Sequence, residues 1–384
     1  MPENQYDIIL LGGGCAALNF AMAFANSKSL SQRVLIIERR VTYHHDRNWS
    51  FWLKNDVPFD HQDCVKSTWA SWRFSDLESD HIHASDYYIY ATVASGDFYN
   101  KAQALIRDDP RQTLLSNCAV EKVYKRNDES FYSIQTSYGE FFARTVIDTR
   151  NIGFEELKKR AAFYQIFYGY EIETETPTFD TSSVGLMEHI EPNQGGLSFI
   201  YTLPFSKTQA LIEYTAFTKT YVPPTTLETE LNNYMEELFP DHACQVTARE
   251  SAVLPMGKLQ TDPIFQDPAY IHFGGAAGSL RESSGYGFLR LHHWAKNAVK
   301  SLENGSTDFN SSSSTVLNRF MDRHFIKTLR HNPWKSPYIF MALARNTSAD
   351  VFARFMSDQH SLKDLIHVIL AVPKTPFIKA LFQS

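Results

Sequence analysis

The sequence predicts an α/β fold with a Rossmann-like parallel sheet, a second, mainly antiparallel sheet and a helical C-terminal region. Three observations lead to this prediction. A strand, a glycine turn and a helix open the chain at residues 8–24, an apolar strand with a glycine-rich loop recurs at residues 270–278, and short alternating strands lie between them. A loop of the same type so late in the chain indicates that the first domain is discontinuous.

The N-terminal motif has the spacing of a dinucleotide-binding turn. The apolar run of residues 8–11 is short enough for a buried parallel strand, and Gly12, Gly13 and Gly14 follow it directly. Gly12 permits a sharp turn, Gly14 permits close approach to a pyrophosphate at the helix N-terminus, and the small Ala17 permits close packing of helix on strand. A glycine-rich turn of another α/β domain is the alternative interpretation.

Glu38 strengthens the dinucleotide interpretation. It ends the second apolar strand, which begins at Arg33, and a carboxylate in this position accepts hydrogen bonds from both ribose hydroxyls. An acid there favours a free 2′-hydroxyl and therefore FAD or NAD rather than NADP. Because a plain dehydrogenase needs only the first loop, the second loop at residues 270–278 favours a two-domain flavoprotein.

Composition limits the partners of the chain. Its 384 residues carry a net charge of −6 without a basic run, which argues against nucleic acid. The four cysteines have neither metal nor redox spacing, so no metal site is predicted. No signal sequence precedes the first strand and no apolar stretch reaches the length of a membrane span, so a cytoplasmic protein is expected.

The pattern of elements also predicts the domain organisation. We predict a discontinuous FAD-binding domain at residues 1–56, 91–163 and 255–305, a substrate domain at residues 57–90 and 164–254, and a helical region at residues 306–384. A helix over Thr226 to Phe239 is expected to be capped by Thr226. The last helices carry apolar faces interleaved with lysines, which is typical of packing on the body of the protein, with a membrane interface as the alternative.

Glu213 is the acid that stands out, because it interrupts the otherwise apolar strand at residues 211–215. Burial of a carboxyl raises its pKa and keeps it protonated near neutral pH, as a general acid requires. A partly exposed strand glutamate is the alternative. Arg47 is placed either to meet phosphate or flavin or to form a surface ion pair, and Trp49 and Phe51 either line a cavity or pack the core.

Several spaced blocks of the sequence resemble the bacterial lycopene β-cyclase family over nearly the whole length. The matching blocks are residues 6–14, 46–52, 95–99, 165–169, 199–205, 211–215, 254–256 and 277–287. The resemblance implies the flavoprotein hydroxylase type of fold. It also implies reduced FAD used without net redox change, and NAD(P)H as the reductant.

By this resemblance, an acid protonates the terminal double bond of a linear isoprenoid, the carbocation closes a β-ionone ring, and a proton is lost. The expected conversion is lycopene to β-carotene through γ-carotene, with Glu213 on the family's catalytic glutamate. The predicted cofactor contacts are Gly12, Gly14, Ala17, Glu38, Arg39, Arg47, Gly275, Ala276, Gly278 and Gly285. The predicted cavity walls are Trp49, Phe51, Tyr201, Tyr214 and Tyr286. The expected partners are a lipophilic isoprenoid and, through the C-terminal helices, the inner face of the cytoplasmic membrane.

The chain departs from the family pattern at three positions. Asn48, Glu282 and Ser284 replace residues that are usually Thr, Pro and Thr, and Glu282 is expected to place a charge near the flavin. A cyclase of another polyene or meroterpenoid therefore stays an alternative, as does an FAD monooxygenase. Hydroxylases of this fold commonly carry an acid where this chain has Ala276, which argues against the monooxygenase. A flavin- or carotenoid-binding protein without turnover is the non-enzymatic alternative.

Overall fold

The computed structural model describes residues 4–125, 130–240, 244–260, 267–307, 309 and 314–382. The strands are β1 (Gln5–Leu11), β2 (Val34–Ile37), β3 (Asn48–Lys54), β4 (Val65–Trp69), β5 (Ser71–Asp76), β6 (Asp80–Ala84), β7 (Tyr88–Ala94), β8 (Gln112–Leu115), β9 (Val120–Tyr124), β10 (Tyr132–Thr136), β11 (Gly139–Asp148), β12 (Phe163–Thr174), β13 (Val184–Pro192), β14 (Leu197–Pro204), β15 (Gln209–Thr218), β16 (Cys244–Met256) and β17 (Tyr270–His272). The α-helices are α1 (Cys15–Asn26), α2 (Ser95–Asp108), α3 (Phe154–Arg160), α4 (Glu228–Leu238), α5 (Phe288–Glu303), α6 (Val316–His331), α7 (Ser336–Asn346), α8 (Ala349–Met356), α9 (Leu362–Ala371) and α10 (Lys374–Leu381).

The first sheet has the strand order β8-β2-β1-β11-β10-β9, and β17 also pairs with β11. Strand β1 runs parallel to β2 and β11, and β11 runs parallel to β17, whereas β9, β10 and β11 form an antiparallel meander. The predicted N-terminal strand, turn and helix are confirmed. Because parallel strands end at one edge of a sheet, the residues after β1, β2 and β11 come together there.

The second sheet has the order β16-β12-β15-β14-β13-β5-β6. Its neighbouring strands are antiparallel except for β13 and β5, which run parallel. Helix α4 covers one face, where Leu231 and Met235 pack with Ile166 and Ile212 in a continuous apolar cluster. The other face is therefore the one available for a site.

The predicted cap of helix α4 is wrong. The helix begins at Glu228 after a short 3₁₀ turn, and the Thr226 hydroxyl donates a hydrogen bond to the Pro223 carbonyl (2.7 Å) within that turn. The residue that precedes the helix is Leu227, and no side chain accepts a hydrogen bond from the first turn, which is what a cap does.

The third sheet, β3-β7-β4, is antiparallel. Strand β3 pairs with β7 from Asn48 to Lys54, so the predicted boundary between residues 90 and 91 falls inside β7. The pairing brings residues on both sides of that boundary into one sheet. The predicted division of the chain into domains stays a prediction.

Helices α6 to α10 form the C-terminal region. Side-chain caps begin three of them: Thr315 accepts from the Asn318 N–H, Ser348 from the Val351 N–H, and Ser361 forms a capping box with Asp364. Helices α7 and α8 contribute to the same apolar cluster as the second and third sheets. Within the described residues, no helix has both the length and the apolar character that crossing a bilayer requires.

Candidate active site

A cavity of about 1620 Å³ begins at the glycine loops of the first sheet, follows the open face of the second sheet and ends among the C-terminal helices. Its walls at the first end are loop residues, whereas aromatic and aliphatic side chains form most of the remainder. An apolar chamber that continues into a polar loop region is the arrangement expected of a small-molecule site.

The first end of the cavity is built by the N-terminal motif. Gly12 has a left-handed φ of +89°, and its N–H donates to the Ile37 carbonyl (2.8 Å). Gly14 precedes α1 without a side-chain cap, and a Cβ added there would meet nothing within 4 Å. Open space therefore lies over the helix N-terminus, where an anion is stabilised by free N–H groups. Ala17 of α1 is fully buried against the sheet, as predicted for a small residue that permits close packing of helix on strand. It does not line the cavity, so the prediction that it contacts the cofactor is wrong.

Glu38 lies at the end of β2 and lines the cavity, as its position in the sequence predicts. One carboxylate oxygen accepts from the Gly13 N–H (2.6 Å) and the other from the Arg40 N–H (2.8 Å). Arg39 is exposed at the rim of the cavity. Arg47 also lines the cavity, and its guanidinium donates to the Ser251 carbonyl (3.0 Å) of β16.

The second glycine loop forms the opposite wall at this end. Gly275, Ala276 and Gly285 line the cavity, and Gly285 has a φ of +70° that favours glycine. Gly278 does not line it: this left-handed residue ends a 3₁₀ turn and faces Leu259, so its prediction as a cofactor contact is wrong. The expectation that Glu282 places a charge near the flavin is also wrong, because Glu282 does not line the cavity.

Glu282 instead forms a two-fold ion pair with Arg323 of α6, with both N–O distances at 2.7 Å. The carboxylate therefore links the loop to the C-terminal helices and does not line the cavity. A neighbour, Arg281, forms a second link of this kind. Its buried guanidinium pairs with Asp322 of α6 (3.3 Å), which also accepts from the Ser283 hydroxyl (2.7 Å).

Glu213 lies on the cavity face of β15, with 6% of its surface exposed. Strand alternation puts Glu213, Thr215 and Phe217 on this face. The prediction of Tyr214 as a cavity wall is wrong, because the same alternation turns it to the opposite face against the α4 side of the sheet. Burial, followed by the charge of Glu250, raises the pKa of Glu213 well above its ordinary value.

Glu250 is a functional candidate that the sequence analysis missed. It lies on β16 with 8% of its surface exposed and is within hydrogen-bonding distance of Glu213. Both glutamates pair in register with Gly169 of the intervening strand β12. Burial raises the pKa of Glu250, whereas the hydrogen bonds from Glu213 and Asn48 oppose this increase. The sequence shows that Glu250 precedes the apolar end of a strand, but it does not show which strand pairs with that one.

Asn48 connects the carboxyl pair to a third acid. Its amide donates to Glu250 (2.8 Å) and to Glu171 (2.8 Å), and Glu171 is also held by His45 (2.7 Å) and Lys66 (2.9 Å). Although burial acts in the opposite direction, these hydrogen bonds lower the pKa of Glu171 to about 2. Glu171 is therefore a fixed negative charge behind a carboxyl pair that favours sharing a proton.

Three phenols meet in the same part of the cavity as Glu213. The Tyr90 hydroxyl lies 2.9 Å from the hydroxyls of both Tyr201 and Tyr286, and all three residues line the cavity. Burial raises the pKa of each phenol well above its ordinary value, so they are neutral at physiological pH. Tyr90 was not predicted, whereas Tyr201 and Tyr286 were.

Comparison with known proteins identifies the family. A sequence profile described as lycopene cyclase protein matches residues 7–382. The chain belongs to the lycopene cyclase family. Lycopene beta-cyclase of Pantoea ananas is 25% identical over 99% of this chain and 98% of its own length. Lycopene beta-cyclase of Pseudescherichia vulneris is 24% identical over 97% and 96%, respectively.

Solved structures show that this lycopene cyclase family member has a flavoprotein fold. A flavoprotein/dehydrogenase of Cytophaga hutchinsonii superposes with a TM-score of 0.62 at 12% identity, covering 98% of this chain and 99% of that one. Halogenase PltM, solved in complex with phloroglucinol and FAD, superposes with a TM-score of 0.55 at 12% identity, covering 95% of this chain and 85% of that one. These similarities establish the predicted fold class.

The aromatic walls of the family member differ in part from the prediction. Trp49 lines the cavity, with its ring 5.4 Å from that of Phe288. Phe51 does not, and its prediction as a wall is wrong. It lies two residues further along β3 and stacks on Phe288 (5.0 Å between centroids), which separates it from the cavity.

Proposed function

We propose that this chain is an FAD-dependent, overall non-redox cyclase that protonates the terminal double bond of a linear isoprenoid and closes a β-ionone ring. The expected conversion is lycopene to β-carotene through γ-carotene. The observation that supports the proposal most is the buried carboxyl of Glu213, which faces a largely apolar cavity and whose raised pKa favours the neutral acid at pH 7.

Glu213 supplies the proton. Its O–H bond breaks as the π electrons of the terminal double bond form a new C–H bond, and a second π pair of the polyene closes the ring on the resulting cation. Loss of a ring proton then restores a double bond, so one proton enters, one leaves, and no electron is transferred. Tyr201, Phe199 and Phe217 line this part of the cavity, and aromatic rings stabilise a nearby cation. An apolar lining of this kind excludes the water that would trap the cation.

The residues at the glycine end fit FAD. A left-handed Gly12, the open N-terminus of α1 and the buried Glu38 form a cradle for pyrophosphate and ribose. Beside the second loop, buried oxygens of Gln165 and Ser284 lack a partner among the described residues and suit the polar edge of a flavin. Arg39, Arg47, Gly275, Ala276 and Gly285 complete the proposed contacts. When bound, reduced FAD supplies negative charge near the cation, with NAD(P)H as the proposed reductant.

We propose that the other end of the cavity receives the substrate from the inner surface of the cytoplasmic membrane. Ile369, Ile378 and Leu381 of α9 and α10 line the cavity and are 47%, 54% and 54% exposed. Such side chains provide an apolar path for a polyene, and Lys374 lies beside them. Flotation with anionic liposomes tests this, and a protein that stays at the bottom of the gradient in low salt contradicts it.

Expression in lycopene-accumulating cells, with chromatography of the pigments, tests the function. We expect β-carotene and γ-carotene from the wild type, and unchanged lycopene from an FAD-loaded Glu213→Gln variant. Glu191→Gln, an exposed strand glutamate, is the matched control and should retain activity. Folded, FAD-loaded wild type that leaves lycopene unchanged refutes the substrate. Oxygen consumption driven by NAD(P)H with a hydroxylated product would instead identify a monooxygenase.

A further inference from the structure

We propose that Glu250 is a positioning residue that shares one proton with Glu213, and that the missing side chain of Gly169 is what allows the two carboxyls to meet. The inference deepens the proposed function and rests on it for the role of the shared proton. It concerns a second carboxyl group, on a different strand from the proposed acid.

The register of three strands creates the pair. Gly169 of the central strand β12 is the partner of Glu213 on one side and of Glu250 on the other. A Cβ at position 169 would lie 2.6 Å from the Glu213 Cγ and 3.3 Å from its Cβ. Side chains of facing residues normally stay apart across an intervening side chain, so glycine is the residue that lets two glutamates approach over a central strand.

The hydrogen bonds around the two carboxyls give Glu213 and Glu250 different protonation states. Glu250 accepts from the Asn48 amide (2.8 Å), whereas no described group other than Glu250 hydrogen-bonds the Glu213 carboxyl. A carboxylate is stabilised by donors, so Glu250 is the charged member and Glu213 is the protonated one that donates to it. The pair then carries one buried negative charge with its counter-ion nearby, and this costs much less free energy than two buried carboxylates.

The surrounding titratable groups leave this assignment in place. Arg47 is the cation that acts on both carboxyls, and Glu171 is the further acid that acts on Glu250. Glu171 stays ionised at neutral pH because its pKa is lowered to about 2. Tyr201 and Tyr286 face Glu213 as neutral phenols. The carboxyl pair is therefore the group that holds the proton in this part of the cavity, and burial raises the pKa of both of its members.

The shared proton serves both halves of the reaction. Donation from Glu213 to the double bond leaves two adjacent carboxylates, whose repulsion makes the pair a stronger base than either glutamate alone. Glu213 then takes the ring proton: the C–H bond breaks, its electrons form the ring double bond, and the proton returns to the Glu213 carboxylate beside the charged Glu250. The pair thus begins and ends each cycle with one proton.

The test compares Glu250→Gln and Glu250→Asp with wild type and the Glu191→Gln control, using the FAD-loaded protein. Glu250→Gln removes the negative charge beside Glu213, so we expect the alkaline limb of the profile of kcat against pH to move to lower pH by about one unit or more. At pH values above that limb, kcat should therefore fall roughly tenfold. Glu250→Asp keeps the charge, so its limb should stay at the wild-type pH even where kcat falls. A limb unchanged in Glu250→Gln, or shifted equally in both variants, overturns the proposal.

A second readout does not depend on turnover. Infrared difference spectra of the FAD-loaded, substrate-free protein at varied pH report the C=O stretch of a protonated carboxyl. We expect a band at neutral pH that is absent in Glu213→Gln and that titrates at lower pH in Glu250→Gln. A band that titrates identically in Glu250→Gln and wild type overturns the pair. If lycopene is not converted but the band behaves as expected, the substrate assignment fails and the carboxyl pair stands.

Discussion

Replacement of Gly169 with alanine should slow the reaction without changing either glutamate. The new Cβ would lie 2.6 Å from the Glu213 Cγ and 3.2 Å from the Ile212 carbonyl oxygen, where ordinary contacts begin at 3.4 Å. The backbone oxygen is fixed in the sheet, so the Glu213 side chain must move. Relief of this overlap requires a displacement of roughly 1 Å, and a misplacement of that size in a catalytic group costs on the order of 100-fold in rate.

The assay is the initial rate of lycopene conversion by FAD-loaded protein, with thermal unfolding measured in parallel. Overpacking a well-packed site costs about 1–3 kcal/mol of stability, so the variant should still fold. We expect kcat to fall about 100-fold while FAD content stays at the wild-type level and the Glu191→Gln control keeps its rate. If kcat of Gly169→Ala equals that of the wild type, the inference that the missing side chain at position 169 sets the position of the Glu213 carboxyl is refuted.

Two further predictions concern the network behind the site and the second glycine loop. A carboxyl with a lowered pKa stabilises the fold at pH values above its ordinary pKa of 4.5, and this contribution is lost as the pH falls toward 2. Glu171→Gln removes that carboxyl, so the unfolding free energy of the variant should decline less in acid than that of the wild type, by roughly 3 kcal/mol. Urea titrations at varied pH measure this difference. Equal declines in both proteins would contradict this. Asp322→Asn leaves Arg281 buried without its counter-ion and should cost roughly 3–5 kcal/mol, whereas Arg281→Met combined with Asp322→Leu should recover most of that loss. Identical stability of the single and double variants would show that the pair is not coupled.

The sequence was informative where chemistry and local pattern coincide. An apolar run followed by Gly12 and Gly14 specifies a strand and a turn within a few residues, and Glu38 marks the end of the next strand. Glu213 was found because a carboxyl among aliphatic residues implies burial. Each of these inferences uses residues that are neighbours in the chain, and the structure keeps them as neighbours.

The inferences that failed required knowledge of strand faces and of distant pairing. Tyr214 follows Glu213 directly, and a strand must turn consecutive side chains to opposite faces. Phe51 is aromatic and close in sequence to Trp49, but Phe288 from a helix far along the chain separates it from the cavity. Glu250 meets Glu213 only because both pair with Gly169, and such a three-strand register is not encoded in any one segment.

The described helices α6, α7, α9 and α10 surround the far end of the cavity, whereas the proposed acid and the glycine loops come from earlier stretches of the chain. Under the proposed function, the selection of what enters and the chemistry performed on it are encoded in separate parts of the chain. We expect a chimera that exchanges residues 316–382 between homologues to alter admission when Asp322 and Arg323, which hold the second glycine loop, are kept.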